Sequence, residues 1–82
     1  MLIRNEHVSR VIVEIPPGHR HLRTTVSLED GTELVFHEAT IANIVRAYVS
    51  IKTHPTTARI VLHGGAVAGR KEGFAEWQLL ES

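Results

Sequence analysis

Hydrophobic and polar residues alternate along the first part of the chain with the period of a β-strand. In RVIVEI, residues 10–15, the side chains of Val11, Val13 and Ile15 occupy every second position. Because successive side chains of a strand point to opposite faces of a sheet, this spacing predicts a strand with one buried face. Ile12 lies on the other face and indicates that the other face is partly covered.

A second alternating segment, LRTTVSLE at residues 22–29, leads into a predicted hairpin. The dipeptide Asp30-Gly31 is a hairpin signal, and a loop of residues 29–31 is the one that keeps apolar residues on a common face. Gly31 is expected to take a positive φ, where a side chain would clash. The predicted cross-strand neighbours are Leu28 with Thr32, Val26 with Leu34, and Thr24 with Phe36.

The segment EATIANIVRAYVSIKTHP, residues 38–55, has apolar residues at helical spacing and is expected to be helical to about Thr53. The apolar residues are Ile41, Ile44, Val45, Tyr48 and Ile51. A strand is the alternative, because VRAYVSI also alternates and its β-branched residues lower helix propensity. No turn signal interrupts the segment before Pro55, and this length favours the helix. Glu38 and Thr40 suit its first turn, and Pro55 prevents its continuation.

Two more strands are predicted after the helix, in TARIVLH at residues 57–63 and in FAEWQLL at residues 74–80. The order β-β-β-α-β-β predicts an α+β fold, in which one helix covers one face of a mostly antiparallel five-stranded sheet. We expect a two-layer single domain of residues 1–82. In element order alone it resembles the β-grasp arrangement. The uncovered face is expected to carry Ile12, Val35 and Val61.

Composition narrows the class of protein. The chain has 43% hydrophobic residues, 22% charged residues and zero formal net charge, which is typical of a folded domain. It has no cysteine, which excludes disulfides, thiolate metal sites and a cysteine nucleophile. The first ten residues lack the apolar run of a signal peptide or a membrane span. We therefore expect a cytoplasmic protein that does not contact a membrane.

The glycine-rich stretch HGGAVAGRKEG, residues 63–73, has part of the spacing of a phosphate-binding P-loop. Arg70 stands where that motif has lysine, Lys71 stands where it has a hydroxyl residue, and no helix is predicted to follow. These departures disfavour phosphate hydrolysis. The stretch is interpreted as a loop between two strands, with anion contact through Arg70 and Lys71 as the functional alternative.

The histidines are the other candidates for chemistry. His19 and His21 would lie on one side of the chain if the backbone between them is extended, but two imidazoles do not complete a metal site, so no metal or other cofactor is predicted. His37 and His63 each end a predicted strand beside the helix. If those strands are parallel neighbours, both rings lie at one sheet edge near Gly64-Gly65, where a ligand pocket would form.

A second basic loop contributes His19, Arg20, His21 and Arg23 to a predicted surface for anions or RNA. The balanced charge and the presence of only four aromatic residues argue against nucleic acid as the partner. No catalytic motif is found, so a binding module is favoured over an enzyme.

Charge is also unevenly distributed along the chain. The four acidic residues of segment 29–38 occur without a Lys or Arg, and the five cations of segment 39–71 occur without an acid. The sequence therefore predicts a module that associates with itself as a homodimer, or with another protein, through the uncovered sheet face or an edge strand. The acidic and basic segments would complement each other between copies. Anion or RNA binding through residues 19–23 and 64–73 is the alternative.

Overall fold

The computed structural model describes residues 1–66 and 77–81. Its elements are a short 3₁₀ helix (Asn5–His7), β1 (Val8–Glu14), β2 (Arg23–Leu28), β3 (Glu33–His37), α1 (Glu38–Thr53), β4 (Leu62–Ala66) and β5 (Trp77–Glu81). This order confirms the predicted α+β class and the sequence β-β-β-α-β-β. None of the helices in the described ranges has the length and apolar character needed to cross a membrane.

The five strands form two antiparallel sheets, β1-β2-β3 and β4-β5, and not the single sheet that was predicted. Every pair joins strands that are consecutive in the chain, and loops between consecutive strands close at a small entropic cost. No described strand of one sheet is hydrogen-bonded to a strand of the other. The single sheet of the β-grasp arrangement is therefore not formed. The chain divides into two compact units, Met1–Ile41 and Ala42–Ser82. The single-domain prediction stays a prediction.

The hairpin between β2 and β3 has the predicted loop and register. Leu28 N–H donates to the carbonyl of Thr32 at 2.8 Å, and Gly31 N–H donates to the carbonyl of Leu28 at 3.0 Å. Gly31 has a φ of 91°. Val26 faces Leu34 and Thr24 faces Phe36 across the ladder. This geometry confirms a three-residue loop closed by a glycine in the left-handed region.

Asp30 completes the same turn. Its Oδ1 accepts a hydrogen bond from the backbone N–H of Thr32 at 2.9 Å. That bond favours the charged carboxylate and lowers the pKa of Asp30 below its ordinary value of 3.8. The side chain therefore has a turn-forming role, as predicted.

Strand β1 pairs with β2 through a register that contains one irregularity. Val8 faces Leu28 and Arg10 faces Ser27, so Ser9 is an extra residue on β1, and its hydroxyl donates to the carbonyl of Ser27 at 3.0 Å.

The connection between β1 and β2 contains a second glycine turn. His19 N–H donates to the carbonyl of Pro16 at 3.0 Å, and Gly18 has a φ of 79°. Pro17 followed by a glycine of positive φ is the composition of a type II turn.

The prediction of the fourth strand was wrong in position. Residues 57–61 are not in a strand, whereas β4 extends from Leu62 into the glycines and ends at Ala66. Gly64 faces Leu79 and Gly65 faces Gln78 on β5, so residues 64–66 of the predicted loop belong to a hairpin. Glycine was interpreted as a loop signal, but pairing with a neighbouring strand outweighs its low strand propensity. Residues 74–76 of the fifth predicted strand lie outside the described residues.

The burial of the apolar side chains is the property that differs most from the sequence-based prediction. Leu28, which is 6% exposed, is the one buried hydrophobic side chain in the described part of the chain. The apolar residues of the first predicted strand that were expected to face the core are exposed by half or more, namely Val11 (51%), Val13 (60%) and Ile15 (61%), of which Ile15 follows the end of β1. The alternation correctly predicts a strand, but it does not bring the apolar face into a core within a single copy.

A buried hydroxyl lies in the middle of the three-stranded sheet. Thr24 is 6% exposed, and its Oγ1 has no hydrogen-bond partner among the described residues. A desolvated polar atom without a partner costs about 1–3 kcal/mol.

We expect Thr24→Val to raise the free energy of unfolding by about 1 kcal/mol, because valine has nearly the same shape and no polar atom to desolvate. Urea unfolding at one fixed protein concentration measures the change. Thr25→Val is the control, because it makes the same chemical change on the opposite face at a half-buried position. Equal effects of the two substitutions would contradict a role for the buried hydroxyl.

Candidate functional site

The four residues of the predicted basic loop lie between β1 and the start of β2. His19, Arg20 and His21 are exposed and precede the strand, whereas Arg23 is its first residue and is half-buried. The other two predicted anion-binding residues, Arg70 and Lys71, lie outside the described residues. The contribution of a second basic loop to this surface therefore stays a prediction.

Acidic groups lie next to the cations of this loop. Nδ1 of His21 is 3.1 Å from Oε2 of Glu38, the first residue of α1, and a protonated Nδ1 donates a hydrogen bond to that carboxylate. Arg23 is flanked on its two neighbouring strands by Glu14 and His37. Mixed signs at short range weaken the field that would attract an anion.

One member of the predicted histidine pocket lies beside the predicted basic loop. His37 is directly opposite Arg23, and side chains at such positions are about 5 Å apart at Cβ. Sequence reasoning treated the two groups as separate sites. The hairpin register, which was predicted correctly, contained the information that Arg23 and His37 are neighbours.

The pairing on which the predicted ligand pocket depended is not formed. His37 ends β3 in the three-stranded sheet, whereas His63, Gly64 and Gly65 belong to β4 in the two-stranded sheet. These strands are not parallel neighbours, so the geometric reason for placing both imidazoles at one edge is removed. The pocket itself stays a prediction. Within residues 1–66 and 77–81 no group of three His, Asp or Glu side chains is arranged to hold a metal ion.

A row of exposed valines on β1 is the most distinctive surface of the first unit. Val11 and Val13 lie on the same face as Val26 and Thr24 of β2, which are their direct neighbours. The residues of that face on β3, Leu34 and Phe36, are half-buried. Exposure on this face therefore increases from β3 to β1, and we call Val11 and Val13, together with Ile15 directly after the end of the strand, the β1 apolar row.

Strand β1 is also an edge of its sheet. The strand order β1-β2-β3 gives it one neighbour, so the backbone groups on its other side have no strand to pair with in this sheet. An edge strand is a template for pairing with another chain, and natural proteins limit that pairing with charged residues, proline, β-bulges or short length. The one irregularity of β1 is at Ser9, so residues 10–14 form a regular edge. Strand β1 is seven residues long and contains neither lysine nor proline.

This surface is not the one predicted from the sequence. Ile12 and Val35 were expected on the uncovered face, and Val35 is indeed 58% exposed, but Ile12 is half-buried. The larger exposed apolar surface is on the other side of β1. Alternation shows which residues share a face, but it contains no information about which face another segment covers.

The helix of the chain is also apolar on its surface. No residue of α1 is buried, and its exposed large side chains are Ile44 (49%), Val45 (51%), Tyr48 (62%) and Val49 (49%). The predicted apolar stripe is present along the helix. Its side chains are more exposed than those of a helix that packs against a core.

A small apolar recess lies near the N-terminus. It has a volume of about 270 Å³, and its walls include Met1, Leu2, Ile3 and Leu28. Because the three N-terminal side chains are themselves exposed, the recess extends the apolar surface of the first unit and does not enclose a ligand. No sequence signal indicated it.

Comparisons of the chain with models of protein families, with curated proteins and with solved structures found no match.

Proposed function

We propose that this chain is a small cytoplasmic interaction module that forms a homodimer through the open edge of its three-stranded sheet. The supporting observation is the burial pattern of the described residues, in which Leu28 is the only buried hydrophobic side chain and the β1 apolar row is exposed by half or more. A domain of this size already buries only about 60% of its unfolded surface. Exposed apolar surface on so small a domain marks a site of association.

A second copy is the partner that this surface supports best. In a twofold dimer the same patch contacts itself, so one apolar row meets another and no second protein is required. Pairing of the two open edges would bring Val11 and Val13 of both copies into cross-strand contact, each pair contributing about 0.2–1 kcal/mol beside the new backbone hydrogen bonds and before the costs of association.

Sedimentation velocity of the pure protein over a range of concentrations tests the proposal. We expect a dimer at tens of micromolar that dissociates on dilution, and a melting temperature that rises with protein concentration. Because apolar contacts are not screened by salt, the dimer is expected to persist at about 1 M NaCl. A monomer at tens of micromolar at both low and high salt contradicts the proposal.

A further inference from the structure

We propose that β1 pairs with β1 of a second copy in an antiparallel register centred on Ile12, which joins the two three-stranded sheets into one six-stranded sheet. This inference rests on the proposed self-association and specifies its geometry. The backbone hydrogen bonds, the apolar side chains and the charged side chains of β1 each support the same register.

The hydrogen bonds of the β2–β3 hairpin determine which backbone groups of β1 point to the open edge. Leu28 and Thr32 form a hydrogen-bonded pair, and hydrogen-bonded and non-hydrogen-bonded pairs alternate along an antiparallel ladder. The even-numbered residues of β2 therefore direct their backbone groups toward β3, and the odd-numbered ones direct theirs toward β1. Thr25 faces Ile12, so Ile12 bonds to β2. The N–H and C=O groups of Val11 and Val13 consequently point to the open edge.

A second copy would supply hydrogen-bond partners for these N–H and C=O groups. In a register centred on Ile12, Val11 lies opposite Val13 of the second copy, and Val13 lies opposite its Val11. Both pairs are then of the hydrogen-bonded type, and they use the backbone groups that the open edge presents. The four valine side chains lie on one face and extend the apolar surface of β2 and β3 across the junction.

The charged residues of β1 are arranged symmetrically about Ile12. Arg10 and Glu14 are each two residues from Ile12, on the opposite face from the valines. In the proposed register Arg10 faces Glu14 of the second copy, and the twofold axis generates the pair twice. Neither side chain forms an ion pair within the described residues, although Glu14 lies opposite Arg23 of its own sheet.

Other twofold registers of the same strands lack this complementarity. A register centred on Val11 or Val13 places Arg10 opposite Ile12 or Pro16. Registers centred on Arg10 or Glu14 place like charges opposite each other, which destabilises the pair. A twofold axis normal to the sheet pairs residues that lie on the same face. Of these registers, only the one centred on Ile12 places valine opposite valine and arginine opposite glutamate.

The opposite edge strand, β3, is the competing contact. Its apolar residues Leu34 and Phe36 are already half-buried, and its five residues offer fewer backbone bonds than the seven of β1. Val35 lies at its centre, in the same cross-strand row as Ile12 and on the same face. This placement makes Val35 a matched control position.

Disulfide trapping distinguishes the two edges. The chain has no cysteine, so Ile12→Cys introduces a single thiol. In the proposed register the two introduced thiols form a non-hydrogen-bonded pair with Cα atoms about 4.5 Å apart, within the range that a disulfide spans. We expect Ile12→Cys to form covalent dimers at least about tenfold faster than Val35→Cys under mild oxidation.

Val35 is a stringent control because its side chain is more exposed than that of Ile12. Random collision would therefore cross-link Val35→Cys faster than Ile12→Cys. If Val35→Cys cross-links faster while sedimentation still shows a dimer, the register is wrong and the self-association stands. If the protein sediments as a monomer, both proposals fail.

A charge exchange tests the register independently. Arg10→Glu or Glu14→Arg alone places two like-charge contacts in the dimer, and we expect the dissociation constant to rise about tenfold or more. The double variant, Arg10→Glu with Glu14→Arg, restores opposite charges and should return to within about threefold of the original protein. Both positions are exposed, and far-UV circular dichroism checks that each variant remains folded. Because Glu14 lies opposite Arg23 of its own copy, urea unfolding measures separately how Glu14→Arg changes the stability of the single copy. Failure of the double variant to recover overturns the register.

Discussion

Replacing Leu28 with alanine is expected to lower the free energy of unfolding by about 2–4 kcal/mol, because the substitution removes most of a buried side chain and leaves a cavity. Leu28 is 6% exposed and is the one buried hydrophobic residue in the described part of the chain. A chain of this length has a total stability of only about 4–12 kcal/mol, so the loss is a large fraction of the whole. Urea unfolding at fixed protein concentration measures it.

Leu2→Ala is the matched control for this substitution. Leu2 borders the same N-terminal recess as Leu28, but it is 71% exposed. Because it has little surface to lose from a packed environment, we expect a change below about 0.5 kcal/mol. Similar losses for the two variants would show that Leu28 is not the centre of a core.

The second large effect is expected at the β1 apolar row. Val13→Lys should raise the dissociation constant of the homodimer by about tenfold or more, because each dimer would lose both valine pairs across the junction and would place two lysines close together on one face. Analytical ultracentrifugation of the variant over a concentration series measures the change. The monomeric fold is expected to survive, since Val13 is 60% exposed in a single copy.

Val35→Lys is the control that identifies the contact face. Val35 is 58% exposed, nearly the same as Val13, but it lies on the opposite face and on the other edge strand. We expect its dissociation constant to change less than about threefold, because an exposed lysine has no desolvation cost. If Val35→Lys dissociates the dimer and Val13→Lys does not, the contact is the face that sequence reasoning identified first.

The hairpin shows how far local reasoning extends. Its loop length followed from the requirement that Val26 and Leu34 share a face, and the positive φ of Gly31 followed from the turn that this loop requires. Both are decided by residues within about ten positions of one another. The helix was predicted for a similar reason, because its length and its flanking proline are local properties.

The candidate site was less predictable. The proximity of Arg23 and His37 was contained in the predicted register, although sequence reasoning did not combine them. The contact of His21 with Glu38 was not predictable, because it depends on how the loop after β1 returns toward the first turn of α1. Gly64 and Gly65 were interpreted as a loop, since the partner strand that includes them in a sheet lies farther along the chain.

By itself, the sequence determined the strand and helix segments, the β2–β3 register and the separation of each strand into an apolar and a polar face. The tertiary structure alone decided that the strands form two sheets and that the apolar side of β1 is the open one. The physical reason is the distance along the chain over which each kind of interaction acts. Periodicity and turn chemistry act between neighbouring residues, whereas the covering of a face depends on contacts between segments that are distant in the chain, or on a second copy.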